Sequence, residues 1–416
     1  MLRLAAAWVL PVLTPPLEAG AVLIGASGRI LAVGPATEVP LPPGVPSVEL
    51  RGGILAPGFV NTHTHLELTG LDGRVDEDEF SDWIRSIRRE KARRTRADSV
   101  AAARQGVVNE WATGVTTLAD TGDTGAAWEA LCAEPRGGAG ICYHEVFGPH
   151  PGQRDESHAG LVAAVTAMVA AGPPPGCSRV TLGVSPHAPY SVSGPLYRAV
   201  AAYARESGRP IALHLAESVA ERDLVTRSAG PFAEAWRARG IPLPDDPAHG
   251  AADPARRSPV AWADAHEVLG PRTLVIHAVD LDGEDIAVLA ARGVGVAHCP
   301  RSNLRHHGRT APLSRLLAAG IPVGLGTDSV ASVSPADLRA EARLVVASGL
   351  SAERAAHLLT RGGAMALGLA QVGGLAPGWW GDLTAVTAGD GVADPHEALL
   401  DASNPVTGTW IAGRKA

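Results

Sequence analysis

Residues able to bind a metal or move a proton recur along this chain at the ends of short apolar runs. The first are His63 and His65, separated by one threonine in PGFVNTHTH (57–65). In an extended strand residues i and i+2 point to one side, so both imidazoles can face one cation. An HxH pair alone says little, because His158, His249, His306, His307, His357 and His396 show that histidine is common in this chain. The remaining set says more. Glu145, His187, His214 with Glu217, His277, Asn303 and Asp328 each stand at or just past the end of another such run. Four histidines and an aspartate (His63, His65, His214, His277, Asp328) therefore read jointly as a metal site. Imidazole nitrogens with one carboxylate suit zinc or ferrous iron rather than calcium or magnesium.

Eight runs carry these groups: 57–65, 114–120, 140–146, 180–188, 210–217, 273–279, 293–300 and 322–328. They alternate with longer alanine- and arginine-rich helical stretches, the pattern of repeated βα units on a parallel sheet. Eight such units predict an α/β chain with a (β/α)8 TIM barrel over residues 58–370, whose active site lies at the carboxyl ends of the strands. The polar residues above fall at those ends. Segments 1–57 and 371–416 are short strand-like runs punctuated by glycine and proline, and are expected to form one small composite β-sandwich, with a hairpin turning at Ser27-Gly28. Helices are expected over 79–111, 335–348 and 352–369, and the proline-rich stretch 242–259 reads as a surface loop or lid. The chain has two lysines, Lys91 and Lys415, and neither falls on a barrel strand. A bridged two-metal site built on a modified strand-four lysine is thereby excluded, and one metal is expected.

Composition narrows the partner. With 46% apolar and 19% charged residues the chain has too much hydrophobic side chain to remain disordered. A net charge of −7 without any run of basic residues lacks the footprint of a nucleic-acid binder, so the partner is expected to be a small molecule. Cys132, Cys142, Cys177 and Cys299 are widely spaced and suggest neither disulfides nor a zinc ribbon, which fits a reducing cytoplasm. Met1–Leu13 superficially resembles a secretory signal, but prolines 11, 15 and 16 interrupt it and a hairpin follows directly. No apolar stretch reaches the roughly 18 residues needed to span a bilayer, so no membrane partner is expected.

The motifs PGFVNTHTHLE (57–67), VSPHAPYSVS (184–193), LHLAES (213–218), HAVDLD (277–282), HCPRSN (298–303) and GLGTDS (324–329) resemble the amidohydrolase superfamily over essentially the whole chain. Within it, the resemblance is to the deaminases and chlorohydrolases of aminated heterocycles. It implies that His63, His65, His214 and Asp328 bind one Zn2+, or Fe2+, that Glu217 shuttles protons, and that His277 orients the attacking water. A divalent cation lowers the pKa of its water from about 15.7 to about 7. Asp328 could take that water's proton, while Glu217 as a carboxylic acid protonates a ring nitrogen and then the departing amine. Among substrate contacts, His187 is the residue implied by SPHAPY, and Trp83 (in FSDWI) is a candidate aromatic lid over a flat ring. The thioadenosine and S-adenosylhomocysteine deaminases carry a ribose-gripping glutamate two residues before that tryptophan. Here that position is Ser81, leaving Glu67 as a candidate for the sugar. Arg301 and Asn303 could anchor polar substrate groups, whereas Arg88, Arg89, Arg93 and Arg94 read as a solvated face. SPHAPYSVS, GPF (230–232), SPVAW (258–262) and CPRSN are most like deaminases of 6-aminodeoxyfutalosine, on the futalosine route to menaquinone. The expected activity is hydrolytic deamination of a purine nucleoside derivative by a homodimer, as relatives often pair. Alternatives are another adenosine-type deaminase, a triazine or pyrimidine amino- or chlorohydrolase, and an inactive barrel acting as a scaffold.

Overall fold

The computed structural model describes residues 1–134, 137–172, 179–250, 258–389 and 391–416. Cys177 and residues 251–257 of the expected loop 242–259 lie outside them. Leu2–Val9 (β1), Leu17–Ile24 (β2), Ile30–Pro35 (β3) and Ser47–Pro57 (β4) join strands Leu383–Thr387, Val406–Ile411 and Arg414–Lys415 in one seven-stranded mixed sheet. The leading apolar segment is thus strand β1, which runs parallel to β4 and antiparallel to β2, with Leu4 and Val9 fully buried. The β2–β3 turn passes through Gly28, whose φ of +78° is easy for glycine and strained for other residues.

All eight apolar runs are strands. Phe59–Thr64 (β5), Val115–Gly122 (β6), Gly140–Val146 (β7), Val180–Pro186 (β8), Ile211–Leu215 (β9), Thr273–His277 (β10), Gly295–His298 (β11) and Val323–Leu325 (β12) lie side by side and parallel, in sequence order. They are buried along nearly their whole length, which explains why they read as continuous apolar runs rather than alternating ones. The sheet closes on itself into the TIM barrel through a parallel bridge between Thr64 and Asp328 and the 3.0 Å bond from Asp328 N to His63 O. At Gly326, just past β12, a Cβ would stand 2.9 Å from both His63 Cβ and Cys299 Sγ, so the last strand can approach the first only with glycine there.

Barrel and terminal sheet are pinned together by side chains. Arg179 makes a two-pronged ion pair with Asp382 and lies 4.2 Å over the Trp380 ring, while Thr384 and Thr409 donate to Gly114 O and Trp111 O at 2.6 and 2.7 Å. The helical stretch 79–111 is two helices, Phe80–Ala92 and Arg96–Ala112. The break is a capping box in which Thr95 and Asp98 satisfy each other's backbone N–H. The segment expected as a helix over 352–369 holds Ala352–His357, a π-turn at Leu358–Gly362 and Gly363–Ala366. Among the described residues no helix is long and apolar enough to cross a membrane.

Candidate active site

The carboxyl ends of β5, β9 and β10 and the turn after β12 converge on one point. His63 and His65 leave β5 on the same side, and their rings lie 4.7 Å apart between centroids. His214, one residue before the end of β9, places its ring 5.0 Å from His63 and 5.6 Å from His65. Asp328 brings Oδ1 to 3.5 Å from Nε2 of both His63 and His65. Ligand atoms of His63, His65 and His214 lie within 4.8 Å of one another, as do those of His63, His277 and Asp328.

The donor set fits a divalent cation. Both ring nitrogens of His63 are buried with no hydrogen-bond partner, a state that would waste a polar group unless something binds it. Nδ1 of His65 donates to Thr121 O at 2.9 Å and Nδ1 of His214 to His187 O at 3.3 Å, so Nε2 carries the lone pair in each ring. Burial pushes the pKa of His65 down to about 3, aided by His63, and that of His214 well below the usual imidazole range, so both rings are neutral and could each offer a lone pair. Ser302 Oγ and Ser329 N hold the Asp328 carboxylate from behind at 2.6 and 2.7 Å.

A buried frame fixes these groups. Asn61, two residues before His63, donates to both oxygens of Glu110 at 3.1 Å and to Thr327 Oγ1 at 2.8 Å, and accepts from Thr327 N, tying β5 to the turn that carries Asp328. Ala216, His277, Ala278 and Asp328 have φ between +52° and +76°. Such conformations cost about 1–3 kcal/mol each and cluster where the surrounding structure enforces an active geometry.

Glu217 sits beside these groups, buried. Its Oε1 lies 3.4 Å from His277 Nε2 and 3.3 Å from His307 Nε2, and its Oε2 accepts from Tyr190 Oη at 3.5 Å. Burial raises its pKa, but His277 and His307 outweigh that and hold the carboxyl at about 2. Glu217 therefore rests as an anion, and becomes the acid expected from sequence only after taking up a proton. Asn303 Nδ2 donates to His277 Nδ1 at 2.9 Å, which leaves the His277 proton on Nε2, toward Glu217.

The expected substrate contacts divide. His187 lies against the site, its ring 4.6 Å from that of His214. Trp83 stacks at 6.0 Å on Phe80 and meets His306 at 4.6 Å, and Phe80 meets His307 at 4.9 Å, so the tryptophan belongs to an aromatic wall beside Glu217. Asn303 supports His277 from the buried side. Arg301 turns away, donating to Pro335 O at 2.8 Å and pairing with Glu341. Glu67 is not left free to grip a sugar: Oε1 pairs with Lys91 Nζ at 2.6 Å and Oε2 accepts from Thr124 Oγ1. Arg94 belongs to this frame too, donating to the carbonyls of Glu67 and Thr69, so the arginine cluster is not wholly a solvated face. His307, Tyr190 and Glu221 had no role in the sequence reading. A signal existed for His307, which is four residues after Asn303 on helix Pro300–His307 and hence on the same helical face.

A family model described as the amidohydrolase family matches residues 54–416. The chain belongs to the amidohydrolase family. This amidohydrolase is accordingly a hydrolase acting on C–N bonds. It is 31% identical over 373 residues to a 5-methylthioadenosine/S-adenosylhomocysteine deaminase of Pelotomaculum thermopropionicum, covering 87% of this chain and 78% of that protein. It is also 31% identical over 299 residues to an aminodeoxyfutalosine deaminase of Deinococcus radiodurans, covering 70% and 68%. Among solved structures, an adenosine deaminase of Xanthomonas campestris with bound zinc superposes with a TM-score of 0.81 at 24% identity, covering all of this amidohydrolase and 92% of that chain. That likeness concerns the fold.

Proposed function

We propose that this amidohydrolase is a zinc-dependent deaminase of an aminated purine nucleoside, 6-aminodeoxyfutalosine, releasing ammonia. The observation that carries the reaction type is the convergence of three imidazoles, those of His63, His65 and His214, and one carboxylate on a single point beside a buried anionic glutamate, with both ring nitrogens of His63 left without a hydrogen-bond partner. His63, His65, His214 and Asp328 hold the cation, which when bound supplies Lewis acidity that brings a water's pKa from about 15.7 toward about 7. The Glu217 carboxylate accepts one proton from the attacking water and delivers it to the ring nitrogen next to the reacting carbon, and the second water proton, released as the new C=O forms and taken up by Asp328, passes to the leaving amine, which departs as ammonia. His277, with its Nε2–H facing Glu217, orients that exchange, and Asn303 fixes the tautomer. The aromatic wall of Phe80, Trp83 and His306 suits a flat heterocycle.

The aminodeoxyfutalosine substrate is supported by the Deinococcus relative, by the SPHAPYSVS and CPRSN motifs and by Ser81 in place of a sugar-binding glutamate. The second reading, 5-methylthioadenosine or S-adenosylhomocysteine, is favoured by the greater coverage of the Pelotomaculum relative. Ammonia release from 6-aminodeoxyfutalosine, 5-methylthioadenosine, S-adenosylhomocysteine, adenosine and cytosine separates them. The proposal expects kcat/KM for 6-aminodeoxyfutalosine to exceed the others by orders of magnitude. Equal or higher turnover of the sulfur nucleosides transfers the assignment to them, and release from none of the purines removes it.

A further inference from the structure

Helix Pro300–His307 reaches three groups of the site. In its first turn Ser302 Oγ holds Asp328 Oδ2 at 2.6 Å and Asn303 Nδ2 holds His277 Nδ1 at 2.9 Å, and at its last position His307 brings Nε2 to 3.3 Å from Glu217 Oε1. The end of that helix is tied to the segment that carries Glu217. Gly308 stops the helix with φ +65°, and Asp280 pairs with Arg309 just beyond it at 2.7 Å and with Arg222, on helix Val219–Arg227, at 2.6 Å. The His307 side chain is itself almost wholly buried, and the Phe80 ring stands roughly perpendicular to it at 4.9 Å between centroids. His307 thus lies between the aromatic wall and the proton carrier.

A buried carboxylate needs donors on its oxygens. Glu217 rests as an anion, so in this contact His307 Nε2 carries the hydrogen and donates it. His277 Nε2 faces the same oxygen at 3.4 Å, so Oε1 is approached from two sides. Among the described residues Oε2 has the long 3.5 Å contact from Tyr190 Oη. The oxygen with room for an incoming proton is Oε2. Glu221 fixes the backbone N–H of Glu217 at 2.8 Å, but the terminal torsion of a glutamate is broad, and anchoring the backbone does not orient the carboxylate. We propose that His307 is a positioning residue for the deamination: its Nε2–H fixes Oε1 and leaves Oε2 to exchange protons with water and substrate. The proposal rests on the reading of Glu217 as proton carrier given above.

The test measures kcat and KM, for the nucleoside this enzyme deaminates best, in wild type, His307→Leu, His307→Ala and His307→Gln, with metal content and denaturant unfolding on each protein. The Leu and Ala substitutions remove the donor, and Gln can return an amide N–H toward Oε1. A hydrogen bond to a charged group is worth about 10- to 150-fold. His307→Leu and His307→Ala should lose kcat by that factor, hold KM within about threefold of wild type and keep one metal per chain, and His307→Gln should recover most of the lost rate. NMR of isotope-labelled histidine adds a reading for which no His307 variant has to fold: His307 should be protonated at Nε2, and its signal should shift in Glu217→Gln. A kcat within about twofold of wild type in a folded Leu or Ala variant overturns the proposal. An equal loss in His307→Gln does so too, because the imidazole itself would then be passing the proton, and a loss confined to KM makes His307 a substrate contact instead. A His307 without hydrogen on Nε2 overturns it whatever the variants do. Near-normal turnover in Glu217→Gln, or ammonia from no nucleoside in wild type, overturns the underlying reading, and both are seen in proteins whose His307 is intact.

Discussion

Glu221 is expected to control turnover without touching substrate. Its two carboxylate oxygens accept from consecutive backbone N–H groups, Ala216 N and Glu217 N, each at 2.8 Å, and the side chain is fully buried. Ala216 has φ +53°, so these bonds hold a strained turn that aims the Glu217 side chain at the site. Glu221→Gln keeps the shape but turns an amide N–H2 toward one of the two donors. One bond is lost and a buried N–H is left unpaired, which together cost about 2–4 kcal/mol of stability. The Glu217 carboxylate should also shift, and a misplacement near 1 Å costs on the order of 100-fold in rate. Ammonia release under saturating and limiting substrate, denaturant unfolding and metal analysis would be run on the same preparation. The expected pattern is a large fall in kcat, a KM within a few-fold of wild type and one retained metal. A kcat within twofold of wild type, or a loss confined to metal content, would show that Glu221 does not position the proton carrier.

Glu217→Gln should retain the metal and the fold but lose turnover by at least about 100-fold, the usual worth of a positioned acid–base group; near-normal steady-state rates would assign proton transfer to another side chain. Glu110, paired with Asn61 two residues before His63, has its carboxyl pushed up to about 7, chiefly by burial. Because the folded state binds the proton more tightly than the unfolded one, its stabilising contribution is complete below about pH 4.5 and is lost as pH rises through about 7, approaching about 3 kcal/mol in total. Glu110→Gln should therefore flatten the decline of unfolding free energy between pH 5 and 8, and an unchanged slope would contradict that protonation.

The barrel was legible because buried parallel strands write themselves as apolar runs, and because the site residues stand at the ends of those runs, as His63, His214, His277 and Asp328 do. The helix break at Thr95 was also written locally, in a threonine followed three residues later by an aspartate, but was passed over within a long helical pattern. What supports the site was not legible, since it depends on partners far apart in sequence. His307 meets Glu217 across 90 positions and Asn61 meets Glu110 across 49. A buried carboxylate reads alike whether its partner is a sugar or a lysine, so the sequence alone does not show that Glu67 pairs with Lys91 rather than with substrate.

Metal stoichiometry tests the centre most directly. Elemental analysis of the purified chain, before and after chelation and in His63→Ala, should give one divalent ion per wild-type chain. Chelation should remove it together with ammonia release, zinc should restore both, and His63→Ala should bind none while remaining folded. A full equivalent of metal in His63→Ala, or undiminished activity in metal-free protein, would contradict the site described here.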